Sequence, residues 1–147
     1  MDILGHKNLT IKSYKAVGGH AICHSSKFRT KFEDLPEWFQ KAQTENAEVT
    51  LAVSASGIMW AKGVWHNGTW HAGWWFSGEW KNGTWLDGFW ANGIWHDGTW
   101  FDGQWFDGTW VNGTWMNGKW HDGHWVKGKR NYETCLGFTK SGKPIVT

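Results

Sequence analysis

A tryptophan recurs every five residues, at positions 60, 65, 70, 75, 80, 85, 90, 95, 100, 105, 110, 115, 120 and 125, and a glycine follows each by three residues, from Gly63 to Gly128. Fourteen units without a slip make this a repeat array, and a repeat of that kind outranks local propensity in deciding architecture. Glycine at every fifth position excludes helix, because each interior Gly costs about 1 kcal/mol relative to Ala and no 3.6-residue apolar period competes. The array must therefore be built of very short strands that share one large side chain per unit.

The residue before each glycine is Asn at 67, 82, 92, 112 and 117 and Asp at 87, 97, 102, 107 and 122, with departures at Lys62, Ala72, Ser77 and Lys127 near the ends of the array. Atypical terminal units are what a stacked array needs where a repeat faces solvent or another segment instead of a neighbour. Asn-Gly and Asp-Gly are strong signals for two-residue hairpin turns. They predict an antiparallel meander of three-residue strands in which Trp65 pairs with Trp70 and His66 with Thr69, with all indoles on one face. On the opposite face, turn-proximal pairs such as Leu86 with Phe89 and Ala91 with Ile94 are expected. The alternative is a square β-solenoid in which each unit forms one side and Trp and Gly point inward, large and minimal residues together filling the interior at ordinary packing density.

The segment Gly78-Glu79-Trp80-Lys81-Asn82-Gly83 resembles the core of MORN repeats. That resemblance implies an elongated single-layer sheet of hairpins used for protein and lipid contacts. The five-residue period resembles pentapeptide-repeat proteins, which implies a square solenoid of the kind that mimics or blocks other macromolecules' binding surfaces. Here Trp stands where those proteins usually carry an inward Leu or Phe, and the Asn/Asp position is displaced relative to it.

Residues 1–57 read as a small α+β cap, residues 58–128 as the array, and residues 129–147 as a closing segment and tail. In the cap, Leu9 to Tyr14 and Ala21 to Cys23 read as strands around Gly18-Gly19. Asp34-Leu35-Pro36-Glu37 opens a short helix with Leu35, Trp38, Phe39 and Ala42 on one side. Glu48 to Ser54 alternates, with Val49, Leu51 and Val53 on one face. After Gly128, Cys135 to Phe138 reads as one closing strand, and Lys143-Pro144 as a loop or edge. Disorder is not expected of a chain with 40% hydrophobic and 19% charged residues. A net charge of +2, with cations gathered only in the tail, argues against nucleic acid as a partner. No signal-peptide pattern or membrane-spanning apolar run is evident, and two isolated cysteines, Cys23 and Cys135, fit a cytoplasmic location.

Chemistry has few footholds. Cys23 between His20 and His24 is a nucleophile with neighbouring bases, but strand alternation sends Cys23 away from His24, so a buried thiol is expected. In a hairpin, His121 and His124 face each other beside Asp122, too few ligands for a metal site. The repeated Asp residues sit at turns, where their side chains bond local backbone. No cofactor or metal is implied. The fourteen repeat indoles are expected to be core, each removing on the order of 200 Å² from water. What then stands out is the other face, where Trp74, Phe76, Leu86, Phe89, Ile94, Phe101, Phe106, Val111 and Met116 put apolar side chains on a supposedly outer surface. The expectation is a non-enzymatic binding protein, a rigid β-repeat scaffold that grips a protein partner, a second copy included, and is able to block that partner. The alternative is a repeat module that stacks sugars or nucleobases on exposed Trp.

Overall fold

The computed structural model describes residues 5–12, 30–51 and 57–146. The chain is mainly β and its array is a β-solenoid. Each strand pairs in parallel with the strand fifteen residues on: Trp65 with Trp80, Trp80 with Trp95 and Trp95 with Trp110, and likewise from Trp60 and from Trp70. Three five-residue units therefore make one coil, and the coil has three sides, not four. A first face carries Trp60, Trp75, Trp90, Trp105 and Trp120, a second carries Trp65, Trp80, Trp95, Trp110 and Trp125, and a third carries Trp70, Trp85, Trp100 and Trp115. Ladder bonds reach from each coil to the one before it, as from Thr99 N–H to Gly83 C=O at 3.0 Å and from Phe101 N–H to Trp85 C=O at 2.8 Å.

The antiparallel meander is thus corrected, and the turn chemistry supplies the reason. A type I′ hairpin requires positive φ at both central residues. In the array only the glycine has it, at +122° in Gly98 for example, while the preceding Asn or Asp does not. The Asx side chain instead accepts the glycine's own N–H, at 2.8 Å from Asp97 Oδ1 to Gly98 N. One left-handed residue bends the chain through a corner without reversing it. Among the described residues both conditions are met once, at Asn131 (+52°) and Tyr132 (+70°), and there the chain does reverse: Lys129–Arg130 pairs antiparallel with Glu133–Phe138. At the corners glycines stack on glycines, and a Cβ built on Gly98 lies 2.3 Å from the carbonyl oxygen of Gly83.

All fourteen repeat indoles point inward and are buried, from 0% exposed in Trp60 to 9% in Trp125. Along a face they stack nearly parallel, with Trp80 and Trp95 centroids 4.8 Å apart at 5°, which is the rung spacing of the ladder itself. Across faces they meet edge to face, Trp95 and Trp100 at 5.9 Å and 71°. Each central indole thereby has both favourable aromatic geometries at once. Trp60 Nε1 donates to Ser77 C=O and Trp85 Nε1 to Asp102 C=O, but nine other indole N–H groups, Trp95 among them, have no hydrogen-bond partner among the described residues.

Both ends are plugged by phenylalanine. The helix Glu37–Gln40, preceded by the 3-10 turn Phe32–Asp34, sets Phe39 over Trp60 and Trp65 at 6.4 and 6.2 Å and Trp38 over Trp70 at 5.3 Å. Leu35, Phe39 and Ala42 are buried as the sequence predicts, with Trp38 half-buried. The strand Gln43–Leu51 begins earlier than expected and pairs antiparallel with Ile58–Asn67, closing the edge of the first two faces. Val49 is buried within it, whereas Val53 lies outside the described residues, as do Ser13, Tyr14 and the predicted strand over Ala21 to Cys23. Thr10–Lys12 and His6–Lys7 add in parallel beyond it. At the far end, Phe138 stacks on Trp120 at 4.7 Å and 4°, completing the indole column with a different ring. Pro144–Val146 forms the outer strand of that closing hairpin, so Pro144 does sit at an edge.

Candidate protein-binding surface

Three residues of each side are extended, with the indole in the middle pointing inward and its two neighbours pointing outward. The outer surface of one face is therefore two columns, one residue before the Trp and one after, repeating every fifteen residues. This geometry divides the nine predicted contact residues among three directions. Trp74, Phe76, Phe89 and Phe106 lie on the first face, Ile94 and Val111 on the second, and Leu86, Phe101 and Met116 on the third. A single continuous surface from Phe76 to Met116 is corrected accordingly: each corner turns the next unit away, and a residue's surface neighbour is fifteen positions off, not three.

The first face gathers the aromatic residues. Trp74 stacks on Phe89 at 4.3 Å and 17° and lies 6.0 Å from Phe76. Phe89 lies 6.3 Å from Phe106, which stacks on His121 at 4.7 Å and 8°. His121 Nε2–H donates to Gln104 Oε1 at 3.0 Å, ending the aromatic strip on a polar pair. Trp74 and Phe76 remain 39% and 41% exposed, a substantial area for rings of that size. A shallow groove with Asp87, Asp102, Asn117 and Lys119 in its lining runs along the neighbouring corner beside Phe89 and supplies a polar rim. The second face is less continuous, with Ile94 37% exposed between Glu79 and Thr109; the third carries one apolar column, Leu86, Phe101 and Met116, beside Thr84, Thr99 and Thr114, with Phe101 43% exposed.

His121 and Gln104 were not among the nine expected contact residues, although Phe106 and His121, like Trp74 and Phe89, stand fifteen apart in the sequence. The same spacing corrects the histidine pair. His121 lies on the first face and His124 on the second, paired with Thr109, so the two imidazoles do not oppose each other. Among the described residues no group of three or more His, Cys, Asp or Glu is arranged to hold a metal ion. Cys23, His20 and His24 lie outside the described residues. The Cys135 thiol is buried under the closing hairpin, and burial pushes its pKa up. Among the described residues no helix is long and apolar enough to cross a membrane.

No protein-family model matches this chain, and neither the curated proteins nor the solved structures contain a match. The likenesses to MORN repeats and to pentapeptide-repeat proteins thus have no family match behind them, and what stands is a Trp-lined β-solenoid with a five-residue unit.

Proposed function

We propose that this chain is a non-enzymatic binding protein, a rigid solenoid whose first face takes hold of a protein partner. The observation that carries the reading is the strip Trp74, Phe89, Phe76 and Phe106, aromatic side chains held outward on a scaffold whose interior is already filled by fourteen indoles. These rings are not needed to close the core. Their positions are set by the ladder before any partner arrives, so binding costs little ordering. Aromatic residues in a preorganised patch with a polar rim are the usual energetic centres of protein interfaces. Occupying a partner's surface in this way would also block it.

The alternative, an indole platform for sugars or nucleobases, rests on Trp74 alone, the one exposed indole of the described residues. The repeat indoles lie inside, and Trp74 and Phe89 turn their ring faces toward each other. Affinity capture with the wild type, a Trp74→Ser/Phe106→Ser variant and a third-face Phe101→Ser variant tests the proposal. A protein held by the wild type and by Phe101→Ser, and released by the first-face variant, is expected. Capture indifferent to the first-face variant overturns it. Loss of a central aromatic contact is expected to weaken binding by about 2 kcal/mol or more, roughly thirtyfold.

A further inference from the structure

We infer that the notch over Ala91 on the first face takes an arginine side chain of the protein partner. The inference rests on the binding role of that face proposed above and adds the chemistry of what it binds. After the indoles, successive rungs of this face carry Ala61, Phe76, Ala91, Phe106 and His121. Ala91 is the one small residue of that column with a ring on both sides.

Those two rings turn their faces toward it. Trp74 and Phe89, one rung apart, stack at 4.3 Å and 17°, so their planes lie across the solenoid axis. Phe76 is within 12° of Trp74 in orientation, and Phe106 is within 8° of His121, stacked one rung on at 4.7 Å. Phe76 and Phe106 therefore face each other along the axis, two rungs or about 9.6 Å apart. A cation centred over Ala91 stands about 4.8 Å from each, inside the roughly 6 Å over which the negative face of an aromatic ring attracts a positive charge. An aliphatic side chain would fill the same space, and the charge around the notch decides between them.

That charge is negative. Between Lys81 and Lys119 the chain has no Lys or Arg, but it has Asp87, Asp97, Asp102 and Asp107. The corners bordering the first face carry Asp87 and Asp102 on one side, in a groove shared with Phe89, and Asp107 and Asp122 on the other. The corner opposite carries Asn67, Asn82, Asp97 and Asn112. Capping does not dictate the difference, since Asn82 and Asp87 hold their glycine N–H at the same 2.8 Å. The four bordering carboxylates are exposed, and among the described residues none of them is in an ion pair. Asp107 adjoins Phe106 at the corner, one rung from the notch. A guanidinium suits this place better than an ammonium, because its plane stacks on a ring while its N–H fork reaches a carboxylate. The same carboxylates repel phosphate, so a zwitterionic lipid headgroup fits less well as the source of the cation.

The blocked peptide Leu-Arg-Leu, titrated to millimolar concentration against the whole chain and followed by NMR shifts, tests the inference beside Leu-citrulline-Leu, which keeps the shape without the charge. Two ring contacts predict a preference of about fivefold to thirtyfold for the arginine peptide. Ala91→Leu, an outward side chain like Leu86 elsewhere in the array, should abolish saturable binding while keeping the near-ultraviolet dichroism of the stacked indoles. Asp107→Asn keeps the glycine cap and should weaken the arginine peptide about threefold without affecting the citrulline peptide, whereas Asp97→Asn on the opposite corner should change neither. The absence of a saturable shift, equal affinity for the two peptides, or arginine binding indifferent to Ala91→Leu overturns the inference, and so does stronger binding to phosphatidylcholine vesicles than to the arginine peptide. Should the peptide fail while protein capture still depends on the first face, the inference falls and the proposed function stands. Should first-face capture fail as well, both fall.

Discussion

Gly98→Ala is the substitution on which the account of the corner depends. Gly98 has φ of +122°, a conformation that residues with a Cβ rarely adopt, and strain of this kind costs about 1–3 kcal/mol. The new methyl group would in addition stand 2.3 Å from the Gly83 carbonyl oxygen, which the backbone ladder holds in place. Relieving it means shifting one coil against another, an overpacking cost of about 1–3 kcal/mol. The expected loss is then about 2–6 kcal/mol, a large share of the roughly 5–15 kcal/mol that stabilises most domains. Gly137 separates the two contributions, because its φ is +144° and nothing lies within 4 Å of a Cβ built there. Gly137→Ala should lose only the backbone part, about 1–3 kcal/mol. Urea unfolding followed by near-ultraviolet dichroism gives both values, with an unchanged slope showing that the same surface unfolds. A Gly98→Ala protein within about 0.5 kcal/mol of the wild type, or no worse than Gly137→Ala, refutes the stacked-corner argument.

At the same corner, Asp97→Ala should cost about 0.5–1.5 kcal/mol in urea unfolding by removing the acceptor of the Gly98 N–H, whereas Asp97→Asn should be nearly neutral, since Asn82 and Asn92 hold Gly83 and Gly93 in the same way. Phe138→Ala should cost about 3–5 kcal/mol and shift Trp emission to the red, because it uncovers the rings of Trp120 and Trp125. His6 is buried against Phe39, donates from Nε2 to Gln40 C=O and accepts from Thr44 Oγ1, and burial holds its pKa below the ordinary 6.5. A histidine depressed in the folded state stabilises fully above 6.5 and loses that contribution as pH falls below it. Hydrogen exchange around Gln40 to Thr44 should therefore quicken on acidification beyond its intrinsic dependence, and a His6→Phe variant should lack that excess.

Much of the fold was legible because the repeat leaves few choices. Fourteen large residues in one phase had to be the core, and they are. Leu35, Phe39 and Ala42 are buried in and beside the short helix Glu37–Gln40, which Pro36 precedes. The candidate surface was legible only as a set of residues flanking the inward indoles, which the three-sided coil divides among three faces. Asn-Gly and Asp-Gly are compatible with a reversal and with a corner alike. The difference lies in φ of the Asx residue and in whether its side chain turns to the glycine N–H, neither of which composition encodes.

The sequence by itself determined the unit, its strand character, its inward indole and its glycine corner, since these follow from the volume and dihedral range of single residues. Tertiary structure alone decided that three units close a coil. The closing number is set by how indoles from adjoining sides meet edge to face at 5.9 Å while those fifteen residues apart stack at 4.8 Å, a contact between residues that the chain's local pattern does not pair. Once three was settled, every outer residue acquired a neighbour fifteen positions away, and Trp74, Phe76, Phe89 and Phe106 became one surface.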